Sequence, residues 1–370
     1  MRNQLRSFTL AASIAVATVA GCSRPPDLIG IDNPEAPAES IPDVSRHRVF
    51  IVTTRAASEV VGAFFSGLRA PDLGLASVEV TVPPTHQVGQ LERAKSLPPD
   101  PRTEFAVVDP TVYPSRQTFV SQLNRELSTR RPADRKLLLF IHGFNNTTSD
   151  AVLRLTQFVQ DTSYAGVPVL FTWASAAMAP RYVYDLNSAL VARAKLPEMA
   201  SILQQTNATS VDIFAHSMGC FLTMEGLVAA AHDGRLNSMT RIKHIILAAP
   251  DIDLDLFRTQ LAQLPESVRD KIYILVSKDD AALRFSRKIA GGVPRVGATD
   301  AAELEKLGVT VLDLSDVNDS SSGTHSKFAG SPEVVQLIGK GLSEAQRFGV
   351  AGGPTLNQML SGVPIRIFGQ

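Results

Sequence analysis

Eight short runs of apolar, mostly β-branched residues recur along the chain: VFIVTTR, VEVTV, KLLLFIHG, VPVLFTW, VDIFAHS, HIILAAP, KIYILVS and VTVLDLS. Runs this continuously apolar suit strands covered on both faces of a sheet. Most of the intervals between them read as helices. Phe119, Val120, Leu123 and Leu127 follow Pro114-Ser115, and Val152, Leu155, Phe158 and Val159 follow Ser149 and Asp150, which serve as N-terminal caps. Strand and helix alternating at this length predict a mainly parallel sheet with helices on both faces. With 370 residues, of which 44% are apolar and 19% charged, the chain can bury such a core. No internal repeat interrupts the pattern.

One junction carries chemistry. In Ala215-His216-Ser217-Met218-Gly219 a strand ending near Phe214 gives way to a helix beginning near Met218. A serine there sits on a sharp turn that lifts its hydroxyl above the sheet, and the residues two before and two after it must be small. Gly219 meets that demand, and Ala215 stands where glycine is usual. A serine nucleophile also needs a base and donors for the oxyanion. KLLLFIHG ends in His142-Gly143-Phe144, where the Phe144 N–H joins that of Met218 as the expected oxyanion pair, with His142 as loop scaffolding. Asp279 and Asp280 follow KIYILVS, and His325 follows VTVLDLS. The order Ser, Asp, His, each beyond a strand's C-terminal end, is that of the α/β-hydrolase fold. Asp251 and Asp253, after HIILAAP, are rival acids. Asp280 can also cap the helix AALRFS while orienting His325, because the cap uses only part of a carboxylate's acceptor capacity.

Among the remaining candidates, His216 reads as pointing off the turn, and His86, His232 and His244 as structural or surface groups. Cys220 reads as a small core residue. Trp173 and Phe144 are candidates for an acyl pocket or for core packing.

The wider pattern of VFIVTTR, VEVTVPPTHQVGQLE, FIHGFNN, LFTWAS, IFAHSMG, LAAPDIDLDLF, SKDDAALRFS and THSKF, from about Arg48 to Leu342, resembles a family of bacterial esterase/lipase-like α/β-hydrolases catalogued as a domain of unknown function. The resemblance implies that the acid lies in an Asp-x-Ala-Leu pattern, here Asp280-Ala281-Ala282-Leu283. It departs from that family at Trp173-Ala174-Ser175, where Trp-Pro-Ser is usual.

The N-terminus reads as an address. Arg2 and Arg6 precede the apolar FTLAASIAVATVA, too short to span a bilayer, so residues 1–21 read as a signal peptide. Val19-Ala-Gly-Cys22 resembles the lipobox of bacterial lipoproteins, which implies a lipid anchor on Cys22. Ser23 then favours the outer membrane by resemblance to enterobacterial sorting, with the chain facing the periplasm. Residues 22–46, rich in Pro and acid, are expected to form a tether, 47–348 the catalytic domain, and 349–370 a Gly-rich tail. The 20 residues from Asp251 to Asp270 leave space for one helix and no large cap domain, so the site is expected to be open.

Composition removes other classes. Lys plus Arg and Asp plus Glu each total 36, so no basic excess exists to hold nucleic acid. The two cysteines, Cys22 and Cys220, lie in no zinc spacing, and no metal or cofactor is expected. The expectation is a membrane-anchored serine hydrolase acting on small-molecule or lipid esters. The alternatives are a peptidase or amidase, and a non-catalytic envelope lipoprotein using the fold as a binding scaffold.

Overall fold

The computed structural model describes residues 27–238, 240–318, 325–343 and 365–369. Cys22 and the signal segment lie outside the described residues. The strands are β1 (Ser45–Ala57), β2 (Phe65–Val82), β3 (Ala106–Val112), β4 (Lys136–Ile141), β5 (Val167–Thr172), β6 (Ser210–His216), β7 (Ile242–Ala248), β8 (Ile272–Val276), β9 (Thr310–Asp313) and β10 (Arg366–Phe368). The helices are α1 (Arg116–Ser128), α2 (Thr148–Asp161), α3 (Tyr182–Arg193), α4 (Leu196–Gln204), α5 (Met218–His232), α6 (Leu254–Ala262), α7 (Glu266–Arg269), α8 (Ala281–Ile289), α9 (Ala301–Glu305), α10 (Lys327–Gly330) and α11 (Pro332–Ser343).

All strands join one sheet in the order β10-β9-β8-β7-β6-β4-β5-β1-β2-β3. From β9 to β1 neighbouring strands are parallel, while β2, β3 and β10 pair antiparallel at the two edges. The alternation of side chains along a strand divides the interior in two. In β4, Leu137, Leu139 and Ile141 face one core with Phe171, Met218 and Phe257. Leu138 and Phe140 face the other with Phe158, Phe214 and Phe328. The first core is covered by α1, α3, α4, α5 and α6, and the second by α2, α10 and α11. This is the mainly parallel, two-faced sheet expected from the sequence. Capping boxes at Ser115 and Thr147 start α1 and α2, so the second cap lies two residues before the predicted Ser149.

Three boundaries differ from the expectation. Residues 27–46 are not a free tether. Leu28 and Ile29 are buried, the Leu28 N–H donates to Ser149 Oγ at 3.2 Å, and the Gly30 N–H to the Val107 carbonyl at 2.8 Å. Two apolar residues in a Pro-rich stretch make no period, yet burying them fixes the segment. The C-terminal segment is not wholly a tail, because Arg366–Phe368 pairs antiparallel with β9; residues 349–364 lie outside the described residues. Between β7 and β8 two short helices, α6 and α7, stand where one was expected.

Candidate active site

Parallel strands end at one edge of the sheet, and the expected residues lie along it. Ser217 joins β6 to α5 with φ 54° and ψ −120°, a left-handed conformation that costs a non-glycine residue energy. The fold holds it there through main-chain bonds: its N–H donates to the Ala248 carbonyl at 2.9 Å, and its carbonyl accepts from Cys220 N at 3.0 Å and Asp251 N at 3.2 Å. Glycine is required beside it. A Cβ on Gly219 would stand 2.4 Å from the Ile141 carbonyl oxygen, and one on Gly143 would stand 2.8 Å from Ser217 Cβ.

His325 Nδ1 lies 2.7 Å from Asp280 Oδ2. The carboxylate only accepts, so Nδ1 carries the proton and Nε2 presents its lone pair. The other oxygen, Oδ1, accepts from Leu283 N at 3.0 Å and caps α8. Asp280 therefore caps and orients with separate oxygens. Asp280 is fully buried, whereas the His325 side chain keeps 22% of its surface exposed.

His216 does not point away from this group. Its Nε2 lies 3.1 Å from the His325 carbonyl, and its ring lies 4.8 Å from both the His325 and Phe328 rings. Burial and the neighbouring His325 push its pKa well down, so the neutral ring donates from Nε2 to that carbonyl. The residue before Ser217 thus holds the backbone of His325. Among the described residues Ser217 Oγ makes no hydrogen bond, to His325 or to any other group. Ser217 is 4% exposed, less open than the sequence suggested.

The N–H groups of Phe144 and Met218 likewise donate to no acceptor among the described residues. Met218 N is one of the free donors at the start of α5. The Phe144 loop is braced from below. His142 is buried and stacks on Trp173 at 5.1 Å; burial and the Arg55 charge lower its pKa to about 3. Its Nε2 accepts from Trp173 N at 3.2 Å, so Nδ1 donates to the Gly143 carbonyl at 2.8 Å. Trp173 is core, not pocket wall.

Two bracing residues escaped the sequence reading. Buried Arg55 donates to the carbonyls of Asn146 at 2.7 Å and Ser175 at 3.0 Å. Buried Asp185 accepts from Asn145 N at 3.2 Å, Ser175 Oγ at 2.5 Å and Ala176 N at 2.7 Å. A charge closing a buried strand, and an acid on the small-residue face Ser188, Ala189 and Ala192, were the available signals.

The rival acids have other partners. Asp251 accepts from Tyr182 Oη at 2.9 Å and Ser286 Oγ at 2.5 Å, and lies 3.3 Å from Arg295 Nε. Burial and the Asp251 charge push the Tyr182 pKa up, which keeps it a donor. Asp253 caps α6, and Asp279 pairs with buried Lys327 at 2.9 and 3.0 Å. Among the described residues no cluster of His, Cys, Asp and Glu could hold a metal, and no helix is long and apolar enough to cross a membrane.

Residues 115–341 match a family described as alpha/beta hydrolases of unknown function. No curated protein matches the chain. Among solved structures it is similar to fungal esterases of Rhizomucor miehei, with 12% identity, 82% of this chain and 85% of that chain covered, and a TM-score of 0.35. It is also similar to carboxyl esterase 2 of Tuber melanosporum, at 11% identity, 87% and 94% coverage and TM-score 0.35. A third similar structure is Est1E of Butyrivibrio proteoclasticus with ferulic acid bound, at 15% identity, 58% and 88% coverage and TM-score 0.34.

Proposed function

We propose that this chain, which belongs to the family of alpha/beta hydrolases of unknown function, is a serine hydrolase that cleaves carboxylic esters. The observation that carries the reading is the Asp280–His325 hydrogen bond of 2.7 Å, made one residue-contact away from a serine held in a left-handed turn.

In this reading His325 Nε2 takes the proton of Ser217 as the hydroxyl attacks the carbonyl carbon. Asp280 stabilises the imidazolium and fixes its tautomer, and the unused N–H groups of Phe144 and Met218 receive the oxyanion. His325 then gives its proton to the leaving alcohol. Water, deprotonated by the same imidazole, releases the acid from the acyl-enzyme.

A fluorophosphonate probe should label the chain at Ser217, and p-nitrophenyl esters should be hydrolysed. Ser217→Ala should lose labelling and fall by several orders of magnitude in turnover while staying folded. Equal activity in the two proteins overturns the reading and leaves the fold as a binding scaffold. A peptidase would label as well and would also cleave the matched amide, which an esterase leaves intact.

The same proposal places the protein in the bacterial envelope, lipid-anchored through Cys22 and facing the periplasm from the outer membrane. The lipobox-like Val19–Cys22 supports this. Globomycin should cause a heavier precursor to accumulate, and Cys22→Ser should not mature; identical processing with and without the inhibitor overturns the anchor.

A further inference from the structure

We infer that the rim around Ser217, led by α8, docks on an anionic lipid bilayer, so that the hydrolase proposed above, on which the substrate half of this inference rests, acts on esters held at a membrane surface.

The helix that Asp280 caps has an unusual exterior. Only Leu283 and Ser286 of α8 are buried. Phe285 and Ile289, one turn apart on its outer side, are 57% and 48% exposed. Between and beside them stand Arg284, Arg287 and Lys288, all exposed. Their bonds among the described residues run to backbone: Arg284 to the Lys278 carbonyl and Arg287 to the Gly292 carbonyl. None of the three has a carboxylate partner among the described residues, and α8 contains no acid. In a chain of formal net charge +0, this is a local excess of positive charge around exposed aromatic and aliphatic side chains. Cations whose long stems lie among apolar groups suit the headgroup layer of an anionic membrane.

The apolar surface continues beyond α8. Tyr182 Oη lies 3.1 Å from Ser286 Oγ, which brings the start of α3 against α8, and Val183 beside it is 68% exposed. The first described residues bond to loops beyond β4 and β1 as well as to Val107 at the start of β3. The Ile29 N–H donates to the Gly62 carbonyl at 3.1 Å and the Leu28 N–H to Ser149 Oγ. Gly62 follows the C-terminal end of β1 and Ser149 follows that of β4, the edge that carries Ser217. Val60 and Val61, in the turn with Gly62, are exposed.

The test uses the full chain, with the N-terminal segment the same in every variant, and reads partition onto vesicles of phosphatidylcholine with or without phosphatidylglycerol. The unaltered chain should prefer the anionic vesicles. The triple variant Arg284→Gln, Arg287→Gln, Lys288→Gln should lose that preference, by roughly a hundredfold at most for three cations. The double variant Phe285→Ser, Ile289→Ser should bind both vesicles roughly tenfold less. Hydrolysis of a long-chain ester embedded in the vesicles should fall in parallel, while hydrolysis of soluble p-nitrophenyl butyrate stays unchanged. Partition and embedded-ester rates that ignore both sets of substitutions overturn the docking surface and point to a protein partner for α8. Partition that responds as expected in a chain hydrolysing neither ester overturns the proposed activity and leaves the docking surface standing.

Discussion

Asp251 and Asp280 follow neighbouring strands, β7 and β8, and both are buried, yet their surroundings assign them opposite work. Asp280 spends one oxygen on the start of α8 and offers the other to His325. Among the described residues no Lys or Arg pairs with it, so its charge is free to stabilise an imidazole that gains a proton. Asp251 is saturated by Tyr182, Ser286 and Arg295. Its charge is neutralised where it stands, and it ties α3, α8 and the segment before β9 to the loop that supports Ser217. Position at a strand end makes a carboxylate a candidate; its partners decide whether it can serve a base.

The sharpest way to break this contrast is the pair of asparagine substitutions. Asp280→Asn keeps the helix cap, since asparagine caps as well as aspartate, but removes the charge facing His325 and favours the wrong tautomer. Turnover should fall by about 10³–10⁴ with little loss of stability. Asp251→Asn should show the reverse: turnover lowered less than tenfold at matched folding, and unfolding free energy lowered by about 3 kcal/mol, because Arg295 is left buried without its counter-charge. Steady-state kinetics and urea titrations of the two variants read both effects. A crippled Asp251→Asn beside a mild Asp280→Asn moves the proposed acid one strand back and leaves Ser217 and His325 in place.

The sequence made much of this legible because the central strands are covered on both faces. KLLLFIHG and VDIFAHS could be read without neighbours since, apart from Lys136 at the start of β4 and the buried Asp212, their residues are apolar or sit at the C-terminal edge of the sheet. The antiparallel flank was harder. In β2 only VEVTV stood out, because its first half, Phe65–Gly74, is Gly- and Pro-interrupted and largely solvent-facing. In β3, Pro110 lies within the strand, which an edge position tolerates and a sequence pattern penalises. The pairing of Asp280 with His325 was legible from chain order, but Arg55, Asp185 and the role of His216 depend on loops that meet only in three dimensions. A single charged residue has no period. Its meaning appears when the carbonyls it satisfies are known.

A smaller effect sharpens the comparison from the side of Asp279, the neighbour of Asp280 in the chain. Burial raises its pKa, but hydrogen bonds from Ser277 and Lys327 outweigh this and hold it low. Lys327, two residues beyond His325, also donates to the carbonyls of Leu314 at 2.9 Å and Ser315 at 3.2 Å. Asp279→Asn therefore leaves the lysine three acceptors and should change turnover by only a few fold, far less than Asp280→Asn. A loss matching that of Asp280→Asn, seen in the same assay, would mean that the two adjacent acids share the orienting of His325.

The smallest effect concerns a histidine with two carboxylates and no access to the edge of Ser217. His86 Nδ1 lies 2.7 Å from Glu92 and Nε2 lies 2.6 Å from Asp161 at the end of α2. Burial opposes its charge, yet the hydrogen bonds and charges of Asp161 and Glu92 raise its pKa above the ordinary 6.5. Folding then binds the proton more tightly than the unfolded chain does. The stability gained is fully present below pH 6.5 and is lost as pH rises through the raised value. Urea midpoints should decline across that window in the unaltered protein and decline less in His86→Gln, with ester turnover unaffected by the substitution. A His–carboxylate pair by itself is thus a clasp. What distinguishes Asp280–His325 is that, among the described residues, the second nitrogen of its histidine makes no hydrogen bond, and a pH-dependent turnover that followed His86 in place of His325 would erase that distinction.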